Sequence, residues 1–324
     1  MAAYDTAALL AMVKRRGFTP TAQGTFSAAE VLAVATEELN SYLAPLMLEV
    51  REEYFAAYAD LPLVASQGAY RVPARALGGK LRDVVWLDAS GTPRNLVRLE
   101  PEGAARYRAS DLGAPEAFSL RGNYVLLHPT PQTGDGHLRL SYFARPGALV
   151  ETSAARAVVD VDYDALSVTV AGAAPASFVV GARLDVVQAQ PSFATVGSEL
   201  TLTALATDGD GDAVLTFAAL PRPEAVPLDY PVTAPEEISL GDWVCLAGES
   251  PVPQVPPELH PLLALKTAAA MLEAVGDVEA ARALLAELGE KQRRALALLS
   301  PRVEGEQRKV RNGFAKWRGG CRVF

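Results

Sequence analysis

One stretch constrains the fold more than any other, because it changes the chain from one kind of secondary structure to another. The run Pro251-Val-Pro-Gln-Val-Pro-Pro257 ends whatever precedes it, since proline has no backbone N–H and a restricted φ. Before this run, residues 243–247 alternate as a strand does. After it, Glu258 to Gly276 has apolar residues at helical spacing, a proline in the first turn and a glycine at the end. We therefore expect a β-rich middle to pass into a helical C-terminal part here.

Helical patterns also open the chain. Residues 5–17 are predicted to form a short helix with an aspartate N-cap and a glycine at its end. Ser27 and Glu30 form the capping box of a second, longer helix, whose apolar period continues to Asp60. Because Pro45 lies inside that pattern, we expect a kink or two consecutive helices there. This helix either packs in a core with a charged solvent face or packs against copies of itself in a ring.

Residues 62–250 have a different pattern, in which short β-branched runs alternate with Gly, Pro and Asp turns. The regular spacing predicts antiparallel β structure, as a sandwich or a barrel. Asp88–Gly91 and Thr133–Gly136 are predicted hairpin turns. The predicted strands are 83–88, 95–99, 124–128, 137–143, 157–161, 166–170, 178–180, 183–187, 199–205, 214–217 and 241–247.

Beyond the proline-rich run, Asp277 caps a further predicted helix that continues, whole or in two parts, to Leu299. Together these patterns predict an α+β fold: a helical bundle formed by both chain ends, a long inserted antiparallel β-rich domain and an extended C-terminal tail. The predicted divisions are a helical part at 1–61, a β-rich insertion at 62–250 in one piece or in lobes of about 62–149 and 150–250, a helical part at 251–300, and a tail at 301–324.

The C-terminal tail combines positive charge with aromatic side chains. Residues 300–324 hold seven Lys and Arg against two Glu, a net charge of +5, whereas the whole chain has −8 and its remainder therefore −13. Such a tail suits strand addition onto an acidic protein or phosphate contacts with base stacking, and we favour protein docking because the rest of the chain is acidic. The predicted partner-binding residues in the tail are Arg308, Lys309, Val310, Arg311, Phe314, Lys316, Trp317 and Arg318.

A second basic cluster is predicted either at a partner surface, between subunits or towards the partner of the tail, or as an ordinary charged strand face. Its residues are Arg71, Arg75, Lys80 and Arg82. The acidic balance of the chain argues against wholesale coating of nucleic acid. Only two cysteines occur, no leader-like apolar segment opens the chain, and no apolar run reaches transmembrane length, so we expect a soluble intracellular protein without a membrane partner.

The motifs that suggest metal binding or phosphate binding are incomplete in this sequence. Asp208-Gly-Asp-Gly-Asp212 suggests a calcium loop, but Ala213 and Ala219 stand where an EF-hand needs Gly and Glu. We interpret it as an acidic hairpin turn and leave weak cation binding between subunits open. Gly78-Gly79-Lys80 lacks the flanking residues of a phosphate loop, which predicts a tight turn with an exposed lysine. No histidine or cysteine pair has metal-ligand spacing. We expect no catalytic residue, no cofactor and no metal.

Three segments resemble bacteriophage head–tail connector (adaptor) proteins, the rings that bind below the portal. They are Phe26-Ser-Ala-Ala-Glu-Val-Leu to Leu39 running into Val50–Phe55, Tyr70-Arg-Val-Pro-Ala-Arg-Ala-Leu-Gly-Gly-Lys-Leu-Arg-Asp83, and Gly241–Pro251 with the helix after Leu259. The resemblance covers about a third of the chain. The chain departs from small adaptors by the long β insertion.

The resemblance implies a structural protein of the virion neck, assembled in the host cytoplasm. It implies a helical core from both chain ends, a ring of copies on the portal protein that is expected to be dodecameric, and a C-terminal tail that reaches into the portal. It also implies a lower face for tail or neck proteins and the passage of double-stranded DNA through the channel. An acidic body suits such a conduit, because a repulsive wall does not hold the duplex.

Two other classes stay open at this point. A β-sandwich module that binds glycans or host surfaces on a phage particle needs exposed aromatic residues clustered on one β face, and the aromatic content is only 7%. An enzyme, such as a hydrolase, needs convergent acid, base or metal groups, and the sequence presents no such set.

Overall fold

The computed structural model describes residues 4–17, 26–108, 110–189, 193–220 and 238–299. The fold is α+β, with helices near both ends of this range and mainly antiparallel strands between them. The helices are α1 Thr6–Gly17, α2 Ala28–Glu38, α3 Ala44–Val50, α4 Pro101–Ala104, α5 His260–Val275 and α6 Val278–Leu299. The strands are β1 Ala56–Pro62, β2 Ala69–Arg71, β3 Ala76–Leu87, β4 Pro93–Asn95, β5 Val97–Arg98, β6 Leu112–Gly113, β7 Ala117–Arg121, β8 Tyr124–His128, β9 Thr130–Pro131, β10 His137–Ala144, β11 Ala148–Leu149, β12 Arg156–Asp162, β13 Ser167–Val170, β14 Arg183–Val187, β15 Thr195–Thr207, β16 Ala213–Phe217, β17 Trp243–Leu246 and β18 Glu249–Ser250.

Helix α5 lies at the centre of a hydrophobic core and is buried on most of its circumference. Side chains of α1, α2 and α6 belong to the same core, which explains why α5 is apolar on more than one face. Each fully buried leucine here contributes about 1.5–3 kcal/mol relative to an exposed one. The predicted ends of α5 are confirmed: Pro261 lies in the first turn, and Gly276 caps the helix with a left-handed φ of 90°.

Helices α1 and α5 approach each other closely at Gly17, the last residue of α1. A Cβ atom added at Gly17 would lie 2.8 Å from the Cβ of Ala268, a distance that real Cβ atoms do not adopt. The predicted aspartate caps are also confirmed. Asp5 accepts a hydrogen bond from the amide of Ala8 at 2.8 Å, and Asp277 caps α6, which continues unbroken to Leu299.

The capping box of α2 is present as predicted. The Ser27 hydroxyl accepts from the Glu30 amide, and the Glu30 carboxylate accepts from the Ser27 amide at 2.7 Å. Near Pro45 the helix does not break. Instead, residues Leu39–Leu43 form a π-helical turn between α2 and α3, which accommodates a proline that cannot donate to the preceding turn.

The predicted continuation of this helix to Asp60 is wrong. Helical structure ends at Phe55, after a short 3₁₀ turn, and residues 56–62 form strand β1. Burial in β1 alternates, with Tyr58 and Asp60 outward and Leu61 towards the β core, so the segment has the two-residue period of a strand. Pairing with β10, from Ala56 opposite Phe143 onward, satisfies the backbone groups that a helix would have satisfied internally.

Two four-stranded sheets follow, and they share one hydrophobic core. Their strand orders are β1-β10-β3-β4 and β2-β8-β7-β5. The turn predicted at Asp88–Gly91 connects β3 to β4, and Gly91 supplies its positive φ of 80°. The hairpin predicted at Thr133–Gly136 is wrong, because the strands on either side of it belong to different sheets. Pro129 and Pro131 lack backbone donors at the point where the chain leaves one sheet for the other.

Strands β6 and β9 form a separate parallel pair, as do β11 and β18. The other six strands close into a barrel in the order β12-β13-β16-β15-β14-β17, which we call the acidic barrel because residues 150–250 hold fifteen Asp and Glu against three Arg. Its interior is filled by side chains such as Val168, Leu202 and Phe217. The strand predicted at Phe178–Val180 is wrong: these residues form turns, and Phe178 is buried whereas Val179 and Val180 are exposed.

The acidic turn at Asp208–Asp212 connects β15 to β16, as predicted. The Asp208 carboxylate accepts hydrogen bonds from the amides of Asp210 at 2.9 Å and Asp212 at 2.8 Å. Gly211 has a φ of 90°, which favours glycine at that position. These hydrogen bonds are internal to the turn and stabilise it.

Candidate partner-binding surface

The tail that the sequence marks as a docking segment lies outside the described residues. Its eight predicted contact residues, from Arg308 to Arg318, therefore stay a prediction. The second predicted cluster, of four basic residues between 71 and 82, lies within the described part of the chain, and its members occupy three different environments.

Arg71 belongs to β2, the edge strand of its sheet, and its side chain is exposed. Residue Arg71 pairs with Tyr124 on β8, and Tyr124 pairs with Arg121 on β7. Residues paired across strands lie on the same face of the sheet, so these three side chains form one row. Tyr124 is 49% exposed. We call this arrangement the Arg–Tyr–Arg row.

Lys80 lies on a bulge that projects from the other sheet. Between the pairs Leu81–Tyr142 and Ala76–Ala144, four residues of β3 stand opposite a single residue of β10. Gly78 and Gly79 both have positive φ, of 63° and 65°, which the protrusion requires. The exposed lysine predicted from the sequence is confirmed.

Arg82 lies beyond the bulge and is also exposed. Its guanidinium is 3.6 Å from the carboxylate of Glu52, an ion pair between side chains that are each about half exposed. Such a pair contributes little to stability, about 0–1 kcal/mol. Lys80 and Arg82 therefore remain accessible for an external partner.

Arg75 differs from the other three, because its charge is used inside the protein. Its Nη1 donates to the Asp185 carboxylate of the acidic barrel at 2.5 Å, and its Nη2 donates to the Arg145 carbonyl at 3.3 Å. Asp185 is fully buried and also accepts from the amides of Glu199 and Gly248. The pair joins the acidic barrel to the two-sheet region.

Burial raises the pKa of Asp185, although Arg75 and the two amide donors oppose this shift. A buried carboxylate held by three donors has a structural role that the sequence analysis missed. The chain separates the two charged residues by 110 positions, so no local pattern indicates the contact.

A shallow groove runs between the helical core and the bulge, with a cavity of about 450 Å³. The π-helical turn places Asn40 in it, and the Asn40 Oδ1 has no hydrogen-bond partner among the described residues. The groove is lined by Thr36, Glu37, Asn40, Ser41, Leu77 and Arg145.

One contact has the residue types of a catalytic pair. The Ser119 hydroxyl lies 2.8 Å from Nε2 of His128, and the ring of Tyr107 packs over the imidazole with centroids 5.2 Å apart. Burial lowers the pKa of His128. In the part of the chain that the structure describes, no carboxylate is hydrogen-bonded to this imidazole, and no group of three or more His, Cys, Asp and Glu could hold a metal ion. The geometry is that of a packed polar pair on a β face.

Comparison with known proteins agrees with the resemblance noted in the sequence. The model of the family described as SU10 adaptor protein matches residues 6–177, which is more than half of the chain. The match begins in α1, spans both four-stranded sheets and includes the first hairpin of the acidic barrel. No curated protein matches the sequence. Among the described residues, no helix is long and apolar enough to span a bilayer.

Phage adaptor proteins are structural components of the virion. The family match therefore favours a structural role over an enzymatic one. The predicted resemblance to phage head–tail adaptors is confirmed, and the chain belongs to the SU10 adaptor protein family.

Proposed function

We propose that the protein is a head-to-tail adaptor that forms a ring between the portal and the tail and lines the channel for DNA. The observation that carries this proposal is the family match over residues 6–177. A twelve-membered ring, tail or neck proteins bound on the face away from the portal, and assembly in the host cytoplasm belong to the same proposal and rest on the resemblance.

In this proposal the helices of both chain ends form a bundle that carries the ring. Its support is the core that α1, α2, α5 and α6 share. The β insertion would consist of two lobes, at about 62–149 and 150–250, and the separate hydrophobic cores of the two-sheet region and the acidic barrel support this division. The helical N-terminal part would end before β1 rather than at residue 61.

The contact with the portal is assigned to the tail, because its positive charge and its aromatic side chains suit an acidic protein groove. Lys80 and Arg82 are a secondary candidate, since both are exposed on one strand. Arg75 is a weaker member of that set, because its guanidinium already binds Asp185. The proposed DNA channel is consistent with the chain's net charge of −8, because an acidic wall repels the duplex and lets it pass.

The test is binding to the portal protein of the same phage, followed by electron microscopy of the product. We would compare the full chain with a version that ends at Ser300. A ring that forms on the portal and is lost with the tail is the expected result. A ring that survives truncation would keep the adaptor function and move the portal contact to the helices or the exposed basic residues of β3. No association of the full chain with the portal would refute the adaptor function.

Two tail variants separate the modes of docking. The variant K309E/R311E reverses charge and keeps the aromatic residues, whereas F314A/W317A removes aromatic area and keeps the charge. If both features matter, each variant should weaken portal binding by about tenfold or more. Salt should weaken the binding of F314A/W317A further and should have little effect on K309E/R311E.

A further inference from the structure

The exposed face of the sheet β2-β8-β7-β5 carries a charged surface that its own chain does not cover. Arg71, Tyr124 and Arg121 follow one another across three neighbouring strands. Neighbouring strands lie about 4.8 Å apart, so the backbones of the two arginines are about 10 Å apart with the tyrosine between them. Neither arginine forms an ion pair with a described residue.

The Arg–Tyr–Arg row lies at the tip of a hairpin and is therefore sterically accessible. Arg121 and Tyr124 flank the two-residue turn Gly122-Asn123, where Gly122 has a φ of 58°. Further from the tip, the same face continues over Ser119 to His128, on which Tyr107 packs. An exposed tyrosine between two arginines has the residue types that are enriched in the centres of protein interfaces.

Charge in this chain is divided between two regions of the sequence. Residues 62–149 hold eleven Lys and Arg against seven Asp and Glu, a net charge of +4. Residues 150–250 hold three Arg against fifteen Asp and Glu, a net charge of −12. The only ion pair between these two regions in the described part of the chain is Arg75 with Asp185. Most of the negative charge of the acidic barrel is thus not neutralised by the basic sheets of the same chain.

Among the described residues of the acidic barrel, few positive charges compensate the carboxylates. Arg183 pairs with Glu199 at 2.7 Å, whereas Arg156 donates to backbone carbonyls, including that of Ala173 at 2.8 Å. Asp160 on β12 and Asp210 in the acidic turn are both exposed, and neither carboxylate has a hydrogen-bond partner among the described residues. Asp160 is in register with Thr169 of β13, and Asp210 lies in the turn that directly precedes Ala213, the partner of Val170. Both carboxylates therefore lie towards the same end of β13.

We propose that the Arg–Tyr–Arg row docks on the acidic barrel of a second copy of this chain, as a contact between neighbouring subunits. The inference rests on the proposed ring, and it identifies the surface through which neighbouring subunits of that ring make contact. A basic patch that meets an acidic patch elsewhere on the same chain makes a head-to-tail contact, and repetition of such a contact produces a ring when the rotation closes. Complementary charge also fixes the register of the subunits and speeds their encounter.

The decisive variant is R71E/R121E, which reverses both charges of the row and leaves Tyr124 in place. Because these side chains are exposed, the fold is expected to be retained, and circular dichroism and thermal unfolding would verify this. The matched control is R282E/R293E, which changes the net charge equally by reversing two exposed arginines of α6. The samples are the full-length chain alone, studied by sedimentation velocity over a concentration series, and the chain with portal, studied by electron microscopy.

The expected result is that R71E/R121E binds the portal as separate copies without a closed ring, or self-associates at a concentration at least about tenfold higher than the wild type. The control should behave as the wild type does. Adding D160R or D210R to the variant should restore closure, because opposite charges are paired again, and the substitution that rescues identifies which of the two carboxylates lies at the contact.

Each other outcome overturns the inference in a distinct way. A variant that closes rings as the wild type does refutes the contact while the adaptor function stands. Equal loss in the control means that net charge alone is responsible. Loss without rescue by either barrel variant means that the row binds something other than the acidic barrel, and retention of a 30-base-pair duplex by the wild type alone would identify that ligand as DNA. If the wild type does not bind portal, the adaptor function fails, and self-association in solution still decides this inference.

Discussion

Replacing Arg75 tests the claim that one buried ion pair holds the acidic barrel against the two-sheet region. The variant R75M keeps much of the side chain's apolar length but removes the charge that lies 2.5 Å from the Asp185 carboxylate. Arg75 is only 13% exposed at its side chain and Asp185 is not exposed at all, so water cannot replace the lost donor. Breaking a buried pair from one side costs about 3–5 kcal/mol.

That loss should be visible in simple unfolding experiments. For folded units of 150–250 residues, each kcal/mol lowers the Tm by about 2–4 °C, which predicts a decrease of about 10 °C for R75M. The variant R75K keeps a charge and should lose less. The variant R75M/D185N removes the carboxylate charge but keeps only one oxygen, whereas the amides of Glu199 and Gly248 bind different oxygens of Asp185. One amide then faces the NH2 group of the new asparagine, so this variant should regain only part of the lost stability.

The stability deficit of R75M should depend on pH, and its direction follows from the pKa of Asp185. Burial raises the pKa of Asp185, and removal of Arg75 raises it further, so the proton is held more tightly in the folded state than in the unfolded state. The stability deficit of R75M is then absent below the unfolded pKa of about 3.9 and grows as the pH rises through the folded pKa. The difference from wild type should be larger at pH 7.5 than at pH 5. A deficit below about 1 kcal/mol at pH 7.5, or one that does not change with pH, would refute the reasoning.

Two further substitutions test the helical core. In G17A the new methyl group must displace Ala268, because the Cβ of Ala268 is 2.8 Å from the ideal Cβ position at residue 17. Helix α1 should then separate from α5, which lowers the stability by about 1–3 kcal/mol. The double variant G17A/A268G should recover much of this loss in the same thermal assay. His260 is buried with Nε2 3.0 Å from the Val255 carbonyl, and burial lowers its pKa. The stability of the wild type should therefore fall as the pH drops below about 6.5. The variant H260M should show a smaller fall, because it keeps only the contribution of His128, whose pKa is also lowered by burial.

Local chemistry explains what the sequence analysis predicted correctly. A helix cap needs only residues within three positions of each other, so Ser27 with Glu30 and the aspartate caps of α1 and α6 could be found by inspection. The acidic turn at Asp208–Asp212 is similar, because its hydrogen bonds are internal. The change from strand to helix across the proline run was predictable for the same reason.

The errors occurred where distant pairing decides the structure. Residues 56–62 can satisfy a helical or a strand period, and the choice depends on β10, about 80 residues further along the chain. Closure of the acidic barrel requires β12 to pair with β17, with Arg156 opposite Val244, and no pattern within either strand indicates its partner. The Arg–Tyr–Arg row was missed because Arg121 lies 50 positions after Arg71 in the sequence. Only the register across three strands brings Arg121 and Tyr124 beside Arg71.

The division of charge has a consequence for how salt should act on this protein. In the free chain, the net charge of −12 on residues 150–250 repels itself, and ions that screen it within about 8–10 Å favour the compact state. In a ring held by the Arg–Tyr–Arg row, the same ions weaken the attraction between neighbouring copies. Salt therefore acts in opposite directions on folding and on assembly. A chain built only for stability gains nothing from placing its positive charge on one lobe and its negative charge on the other, whereas a chain that must recognise copies of itself does, because each subunit then presents both halves of a complementary contact.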